Sequence, residues 1–418
     1  MSHTVIIGTG AYLPTEVVTN AAFETNEFYN PDGTPIDRPT KEIVDKLESI
    51  TGIRERRYAK PELRSSDIAA IAARRAVDDA GIDPETNEFY NPDGTPIDRP
   101  TKEIVDKLES ITGIRERRYA KPELRSSDIA AIAARRAVDD AGIDPETIDQ
   151  IIVAHNFGDI LSGTLQTDIL PSVASRVKYS LGIKNVHCVP YDVIFGCPGW
   201  VQGLIQADAF FKAGIAKRAL VIGSETLSRI VDPHDRDAMI FSDGAGAAVL
   251  EYQPTEGKKG IIASAVISHA QEDTYYLFMG PTNKPESPDN HLYIKMHGRK
   301  IYEYALSHVP TAMKECLDRA GVQHISEVSK IFIHQANEKM DDAIVRRLFR
   351  LYNVREYDAQ VAPMNIHDFG NSSVATIPTM YDMVRRGQLG EHRVQEGDLV
   401  LFASVGAGMN INAVAYRY

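Results

Sequence analysis

The chain contains a tandem repeat whose two copies are identical. Residues 24–84 recur without one change as residues 85–145, so the repeat unit is 61 residues long. Solenoid repeats differ in sequence from copy to copy and usually number three or more, so this pattern does not predict a solenoid. A core position can be filled only once. We therefore expect one copy to be surplus, which leaves 418 − 61 = 357 residues for the fold, and the sequence does not say which copy packs.

The composition predicts a globular protein of the cytoplasm. The 418 residues suffice for two domain-sized cores, and 43% hydrophobic with 25% charged residues is ordinary for such a chain. No apolar run approaches the ~20 residues of a membrane helix, and the N-terminus lacks the features of a signal peptide. Three cysteines argue against a disulfide framework and favour a reducing compartment. A net charge of −12 argues against nucleic acid as the main partner.

Strand-like and helix-like segments alternate outside the repeat. Buried strands are predicted by apolar runs at residues 151–154, 219–223, 247–251 and 399–403. Helices are predicted by amphipathic stretches at residues 199–213, 300–320 and 338–351. This alternation predicts α/β layers with mainly parallel central strands. We expect two halves, residues 1–275 and residues 276–418.

One cysteine lies in a setting that suits a nucleophile. Cys197 stands in Phe-Gly-Cys-Pro-Gly-Trp, between a strand-like segment and an apolar helix. This position puts the sulfur near a helix N-terminus, where the macrodipole lowers the pKa of a thiol. The alternative is a buried structural cysteine, which is our interpretation of Cys188 and Cys316.

Other segments can supply groups that stabilise negative charge. His334 follows the apolar run Lys-Ile-Phe-Ile, and Asn371 lies in Gly-Asn-Ser-Ser. The alternatives are a hydrogen-bonded histidine at a strand end and a turn or helix cap. Gly406 and Gly408 follow a strand near the C-terminus, where they form a tight turn or let a backbone N–H point at a carbonyl oxygen, as an oxyanion hole requires.

With these motifs the chain resembles the thiolase superfamily, and most closely the β-ketoacyl-acyl-carrier-protein synthase III family. The resemblance covers nearly the whole chain once one repeat copy is set aside. It rests on motifs in the family's order: Thr-Gly-Ile-Arg-Glu-Arg at residues 51–56 and 112–117, the nucleophile region 192–199, the glycine-rich segment 241–250, His-Gln-Ala-Asn at 334–337 and Gly-Asn-Ser-Ser at 370–373. It implies the five-layered α-β-α-β-α thiolase fold of two similar halves, normally a homodimer.

The resemblance also implies a mechanism. Cys197 takes an acyl group from an acyl-CoA or acyl-carrier-protein starter, with the N–H groups of Cys197 and Ala407 as the oxyanion hole. A malonyl-type thioester on acyl carrier protein then loses CO₂ and condenses with the acyl-cysteine, in fatty-acid or polyketide-like biosynthesis. His334 and Asn371 hydrogen-bond the thioester oxygen as negative charge develops. No metal and no other cofactor is implied.

Two positions depart from the family. Its enzymes that start from acetyl-CoA hold the CoA adenine with a Trp and an Arg shortly before Thr-Gly-Ile-Arg. The matching residues here are Lys46 and Ile50, or Lys107 and Ile111 in the second copy. We therefore expect a carrier-bound or unusual starter rather than acetyl-CoA. The only tryptophan, Trp200, stands beside the nucleophile, where it lines the acyl pocket or packs in the core.

An acidic carrier protein needs cations at the entrance of the site. Lys339 matches the family's carrier-docking arginine, and Arg346 lies on the same predicted helix. A solvated helix face is the alternative interpretation of these charges.

Three other functions are compatible with a chain of this family. The chain can be an acyltransferase that uses an alcohol or an amine as acceptor. It can also be a non-decarboxylative condensing enzyme, which normally needs a glutamate base that the sequence does not place. The third alternative is a non-catalytic partner subunit of a heterodimeric synthase, although such subunits usually lose the nucleophile.

Overall fold

The computed structural model describes residues 2–12, 16–19, 88–254, 259–287 and 290–418. The first repeat copy, including Lys46 and Ile50, lies outside the described residues. The second copy is described from residue 88 onward. No helix within these ranges is long and apolar enough to cross a membrane.

Strands and helices alternate along the described chain. The strands are β1 Ser2–Tyr12, β2 Glu16–Thr19, β3 Glu116–Tyr119, β4 Gln150–Ala154, β5 Asp159–Ile160, β6 Thr167–Asp168, β7 Val189–Val193, β8 Arg218–Thr226, β9 Asp243–Pro254, β10 Gly260–Ser268, β11 Leu277–Gly280, β12 Tyr293–Met296, β13 Val328–Ile333, β14 Leu399–Gly406 and β15 Asn410–Arg417. The α-helices are α1 Thr101–Thr112, α2 Ser126–Ala141, α3 Val173–Leu181, α4 Gly199–Lys212, α5 Gly298–Arg319, α6 Glu338–Leu351, α7 Ile366–Phe369 and α8 Thr376–Arg385. The predicted strands and helices are confirmed, with bounds that differ by a few residues at most ends.

Two mixed sheets form the centre of the fold. The first orders its strands β1-β9-β8-β4-β7 and the second β10-β15-β14-β13. Only β4 with β7, β4 with β8 and β13 with β14 are parallel neighbours in these two sheets. The expectation of mainly parallel strands is therefore wrong. The connections from β8 to β9 and from β14 to β15 contain no α-helix, and a parallel neighbour needs a crossover connection.

Apolar side chains assemble the helices and sheets in five layers. Helices α2 and α3 cover one face of the first sheet with side chains such as Ile129 and Val173. Helices α4 and α8 lie between the sheets, where Trp200 and Tyr381 join one cluster with residues of both sheets. Helices α5 and α6 cover the outer face of the second sheet. The order α-β-α-β-α confirms the predicted fold class.

The expected division between residues 275 and 276 stays a prediction. Strand β10, which precedes this point in the sequence, pairs antiparallel with β15 in the second sheet. The chain therefore enters the second sheet between β9 and β10, before the expected division.

The second repeat copy is an integral part of the core. Its helix α2 buries Ile129, Ala133 and Ala137 completely. A Cβ on Gly8 of β1 would lie 2.5 Å from the carbonyl oxygen of Ala137, so α2 packs directly on the backbone of β1. Its strand β3 pairs antiparallel with β2, which precedes the repeat. The described part of the second copy therefore occupies its core positions; whether the first copy is surplus stays a prediction.

Candidate active site

The nucleophile candidate lies where β7 leads into α4. Gly196 has a φ of +65°, and α4 begins at Gly199 directly after its cap residue Pro198. Burial raises the pKa of the Cys197 thiol to about 11; a hydrogen bond from Ser373 lowers it and the nearby carboxyl of Glu225 raises it. The pKa of the thiol is therefore raised, not lowered as expected at a helix N-terminus, because burial disfavours the thiolate more than the hydrogen bond from Ser373 favours it.

Two glycines bring the nucleophile loop against the loop that follows β14. A Cβ on Gly196 would lie 2.7 Å from the backbone nitrogen of Ala407. A Cβ on Gly406 would lie 2.5 Å from the backbone nitrogen of Cys197. Neither position has room for a side chain, so the loops touch through backbone atoms. This contact places the amides of Cys197 and Ala407 in the same small region, as a shared oxyanion hole requires.

The backbone of Asn371 is joined to the glycine-rich segment of the first half. Its N–H donates to the carbonyl of Ile240 at 3.0 Å, and its carbonyl accepts from the N–H of Ser242 at 2.9 Å. The side-chain Oδ1 accepts a hydrogen bond from the N–H of Ser373 at 2.8 Å. This bond fixes the orientation of the amide, whose Nδ2 is its only group that can donate to a ligand.

The other candidate from the second half, His334, follows the end of β13. Its N–H donates to the carbonyl of Ala403 on β14 at 2.9 Å, and the residue is buried. Burial lowers the pKa of the His334 imidazole to about 4, and a hydrogen bond with the Ser373 backbone offsets this only in part. No described residue bonds its Nδ1. The ring is therefore neutral at pH 7.

Ser373 contacts all three candidates. Its hydroxyl donates to the sulfur of Cys197 at 3.2 Å, its N–H donates to Asn371, and its backbone interacts with the ring of His334. It is buried and has a φ of +52°, which side-chain-bearing residues rarely adopt. The structure thus brings the three candidates together around one residue from the loop between α7 and α8.

The Thr-Gly-Ile-Arg-Glu-Arg motif of the second repeat copy, residues 112–117, contacts the segment that leads into this loop. The N–H of Arg115 donates to the carbonyl of His367, and its guanidinium pairs with Asp368 at 2.9 Å. Arg117 is buried, and its Nε donates to the carbonyl of Met239. The segment therefore holds α7, directly before Asn371, against the first half of the molecule.

A cavity of about 870 Å³ reaches Asn371 from the surface. Lys107 and Ile111 of α1 line it, together with the beginnings of α5 and α6. Further cations on its wall are Arg99, Arg236, Arg299 and Lys300. The cavity therefore combines an apolar interior with a positively charged wall, which suits a thioester arm that carries a phosphate.

Comparisons with known proteins show the family to which the chain belongs. The family model of 3-oxoacyl-[acyl-carrier-protein] synthase III matches residues 191–270, and the model of its C-terminal part matches residues 317–418. The β-ketoacyl-[acyl-carrier-protein] synthase III of Erythrobacter litoralis is 34% identical over 325 residues, which are 77% of this chain and 92% of that protein. The chain belongs to the 3-oxoacyl-[acyl-carrier-protein] synthase III family. It is a condensing enzyme of the thiolase superfamily and an acyltransferase.

Solved structures share the synthase fold. The crystal structure of the 3-oxoacyl-[acyl-carrier-protein] synthase III of Aquifex aeolicus is 29% identical and superposes with a TM-score of 0.66, covering 99% of this chain and 100% of that one. The priming β-ketosynthase of the R1128 polyketide pathway is 23% identical, with a TM-score of 0.67 over 99% and 96% of the two chains, and shows the shared fold alone. The predicted family and enzyme class are therefore confirmed.

The remaining predicted site residues of the synthase lie outside this cluster. Trp200 is buried in the central layer, where its Nε1 donates to the carbonyl of Val221 and its ring packs edge-on against Phe402. Lys339 is exposed on α6 and donates to the carbonyl of Ser110 at 2.6 Å. Their roles, in the acyl pocket and in carrier docking, stay predictions.

Arg346 is also exposed on α6 of the synthase. It pairs with Asp342 one turn away at 2.9 Å. Its charge is therefore partly neutralised within the helix, and its role in carrier docking stays a prediction as well. Within the part of the chain that the structure describes, no cluster of side chains could hold a metal ion.

Two polar residues lie behind the nucleophile of the synthase and were not predicted from the sequence, and no role was predicted for Ser373. Asn156 follows the end of β4, and Glu225 lies near the end of β8. A carboxyl inside an otherwise apolar strand, as in Ala-Leu-Val-Ile-Gly-Ser-Glu, was the signal for Glu225. Polar residues at the carboxyl ends of parallel strands commonly lie at functional sites.

Proposed function

We propose that Cys197, His334 and Asn371 carry out an acyl transfer followed by a decarboxylative condensation. The observation that supports this assignment is the position of Ser373, which contacts the thiol, the amide and the imidazole from the two halves of the molecule. A thiol, a neutral imidazole and a neutral amide are the groups that this chemistry needs.

In the loading step, the sulfur of Cys197 attacks the carbonyl carbon of a donor thioester. The new bond joins Sγ to the acyl carbon, the donor's carbon–sulfur bond breaks, and the thiol proton leaves with the departing thiol. The backbone N–H groups of Cys197 and Ala407 stabilise the negative charge on the carbonyl oxygen during this exchange.

In the condensation step, a malonyl-type thioester loses CO₂ and its electron pair forms an enolate. The ring of His334 and the Nδ2 of Asn371 donate hydrogen bonds to the enolate oxygen. The α-carbon then attacks the acyl carbon on Cys197, the carbon–sulfur bond breaks, and the sulfur takes up a proton from solvent. A neutral imidazole suits this step, because a cation would pair with the carboxylate and stabilise the malonyl group before decarboxylation.

Intact-protein mass spectrometry after incubation with a panel of acyl-CoA and acyl-carrier-protein thioesters tests this proposal. We expect an acyl adduct that Cys197→Ala abolishes. Asn371→Ala should retain the adduct but release CO₂ from a malonyl thioester at least 100-fold more slowly, because one of two enolate donors is lost. Normal condensation by the Asn371 variant contradicts the assignment. An adduct without any CO₂ release points instead to a non-decarboxylative acyltransferase, and no adduct from any donor points to a partner subunit.

We further propose that the natural starter is carrier-bound or unusual rather than acetyl-CoA. The cavity wall carries Lys107 and Ile111 where acetyl-CoA-dependent members of the family hold the adenine with Trp and Arg. A lysine and an isoleucine offer no planar surface for the base, so little of the nucleotide's binding energy is recovered. Efficient loading from micromolar acetyl-CoA contradicts this part of the proposal.

The enzyme is proposed to be a cytoplasmic homodimer. Its cysteines Cys188, Cys197 and Cys316 are all free thiols, which suits a reducing compartment. Strand β7 is at the edge of the first sheet, and the chain from the end of β5 to the residue after β7 exposes these apolar side chains: Leu161, Ile169, Leu170, Tyr179, Val186, Val189 and Ile194. An apolar band beside an open strand edge is a surface that soluble proteins normally cover. A second copy of the chain, with β7 paired to β7, covers both.

A further inference from the structure

A chain of hydrogen bonds leads from the nucleophile to a buried carboxyl. The hydroxyl of Ser373 donates to the sulfur of Cys197 at 3.2 Å. The Nδ2 of Asn156 donates to the Ser373 hydroxyl at 3.1 Å and also to the Oε1 of Glu225. The backbone N–H of Asn156 donates to the same Oε1 at 2.9 Å. Asn156 is therefore the central donor, with Ser373 and the sulfur of Cys197 on one side of it and the carboxyl of Glu225 on the other.

These residues come from three separate parts of the fold. Asn156 follows β4, Glu225 is on β8, and Ser373 comes from the loop before α8. Glu225 is 1% exposed and Ser373 is 3% exposed. A buried carboxyl and a serine with a positive φ both cost stability, so the surrounding fold has to hold them.

We propose that Glu225, Asn156 and Ser373 form a positioning network that fixes the Ser373 hydroxyl against the sulfur of Cys197. Asn156 occupies the acceptor side of the hydroxyl, so the hydroxyl proton is directed at the sulfur. Glu225 holds the Asn156 amide in the orientation that makes this possible. The network rests on the proposed role of Cys197 as nucleophile, and Ser373 acts through that sulfur during loading.

The two ends of the network act on the thiol in opposite directions. The hydrogen bond from Ser373 stabilises the thiolate, whereas a negative charge on Glu225 destabilises it. Burial raises the pKa of Glu225 to about 8, the hydrogen bonds from Asn156 lower it, and the buried carboxyl of Asp243 raises it further. Glu225 is therefore mostly neutral at pH 7 and ionised at pH 9. The ring of His334, the other titratable group at the site, is neutral throughout this range.

Alkylation of Cys197 by iodoacetamide, followed by peptide mass spectrometry between pH 6 and pH 10, tests the network without any substrate. Ser373→Ala should slow alkylation about tenfold at every pH, because a hydrogen bond to the thiolate is lost. Glu225→Gln keeps the oxygen that accepts from Asn156 but removes the charge. It should match the unsubstituted enzyme near pH 6.5 and react severalfold faster near pH 9.

Two variants separate the hydroxyl from other effects. Ser372→Ala is the matched control, since Ser372 is also buried in this loop but bonds Thr376 rather than the nucleophile. Ser373→Gly removes the hydroxyl and relieves the positive φ, so it should slow alkylation as Ser373→Ala does. Alkylation at the unsubstituted rate in Ser373→Gly would show that backbone strain, not the hydroxyl, governs the thiol, and would overturn the network.

The outcome distinguishes this inference from the proposed function. If Ser373→Ala and Glu225→Gln are both alkylated at the rate of the unsubstituted enzyme at every pH, the network is refuted while Cys197 stays the nucleophile. If Cys197→Ala still forms an acyl adduct, the nucleophile assignment itself fails. Slower alkylation in Ser373→Ala and faster alkylation near pH 9 in Glu225→Gln, with an unchanged rate in Ser372→Ala, establish the network.

Discussion

At the residue scale, burial decides the protonation of the active-site imidazole. The pKa of His334 is lowered from 6.5 to about 4 by desolvation. Between these values the unfolded chain binds a proton that the folded chain does not, so stability is lost as pH falls through this window. His334→Gln keeps a neutral hydrogen-bond donor without a titrating ring.

We therefore expect the unsubstituted enzyme to lose about 2 to 3 kcal/mol more unfolding free energy than His334→Gln between pH 7 and pH 4.5. Urea unfolding at the two pH values measures this difference. An identical pH dependence of the two proteins would mean that the folded state does not exclude the imidazolium.

At the element scale, the contact between two loops depends on a glycine whose backbone is unstrained. Gly406 has a φ of −168°, an extended conformation that alanine also adopts. An alanine side chain nevertheless has no room at this position, because its Cβ would lie 2.5 Å from the backbone nitrogen of Cys197. Gly406→Ala should push the oxyanion-hole loop away and slow acyl loading about tenfold to 100-fold, as overpacking costs about 1 to 3 kcal/mol.

Gly142→Ala is the control for this change. Gly142 is the residue that follows α2, away from the cavity, and no atom lies within 4 Å of the Cβ that alanine would add. We expect its loading rate to stay unchanged when both variants are compared by rapid-quench mass spectrometry. Equal loading by Gly406→Ala would exclude a close approach of the two loops.

Helix α6 belongs to the same scale, because its exposed face is the proposed carrier-docking surface. Lys339→Glu should raise the Michaelis constant for a carrier-bound substrate about three- to tenfold, since charge complementarity with the acidic carrier is reversed. The same change at Arg350, exposed in the last turn of α6, is the control and should have a smaller effect. Steady-state kinetics with matched carrier and CoA thioesters measures both. Equal effects on the two donor types would rule out docking at Lys339.

At the scale of the whole molecule, the identical repeat offers two equivalent ways to fill one place. The described second copy buries Ile129, and Ile68 is its counterpart in the first copy, outside the described residues. Because the copies are identical, the first copy has the same side chains to offer at that place, and excluding either 61-residue copy from the core would cost a similar entropy.

We expect deletion of residues 24–84 to leave an active 357-residue enzyme. Ile129→Asp should unfold that shortened chain, because a buried unpaired carboxylate costs several kcal/mol. In the full chain the same substitution should be tolerated, and only Ile68→Asp combined with Ile129→Asp should abolish folding. Thermal unfolding and acyl loading are measured for the shortened chain, its Ile129→Asp variant, and the single and double variants of the full chain. Loss of folding by Ile129→Asp alone in the full chain would show that the copies do not exchange.

Assembly is the second property at this scale. Leu170 is 87% exposed beside the edge strand β7, so a change there costs a monomer little. Leu170→Glu should weaken the proposed dimer about tenfold or more, because a charge enters an apolar interface. Tyr275→Glu, at a 74% exposed position between β10 and β11, is the control. Sedimentation velocity at several concentrations measures both variants, and a monomeric unsubstituted enzyme would refute the dimer.

Much of the architecture follows from local sequence patterns. The apolar periodicity of α6 predicts the observed Glu338–Leu351, and that of α4 predicts Gly199–Lys212 to within one residue. The relative directions of neighbouring strands could not be predicted from the sequence, because an apolar run such as β9 has the same pattern beside a parallel or an antiparallel neighbour. The order of the layers came from the resemblance carried by the motifs rather than from periodicity.

The sequence by itself determined the family, the positions of the helices and the candidates Cys197, His334 and Asn371, since these depend on residue types and short spacings. Only the tertiary structure decided the mixed sheets, the raised pKa of the thiol and the placement of Ser373 between the three candidates. The pKa of a buried group and its hydrogen bonds depend on residues that are far apart in the chain, as Asn156 and Glu225 are from Ser373. A local sequence pattern does not contain these distant neighbours, which come together only when the chain folds.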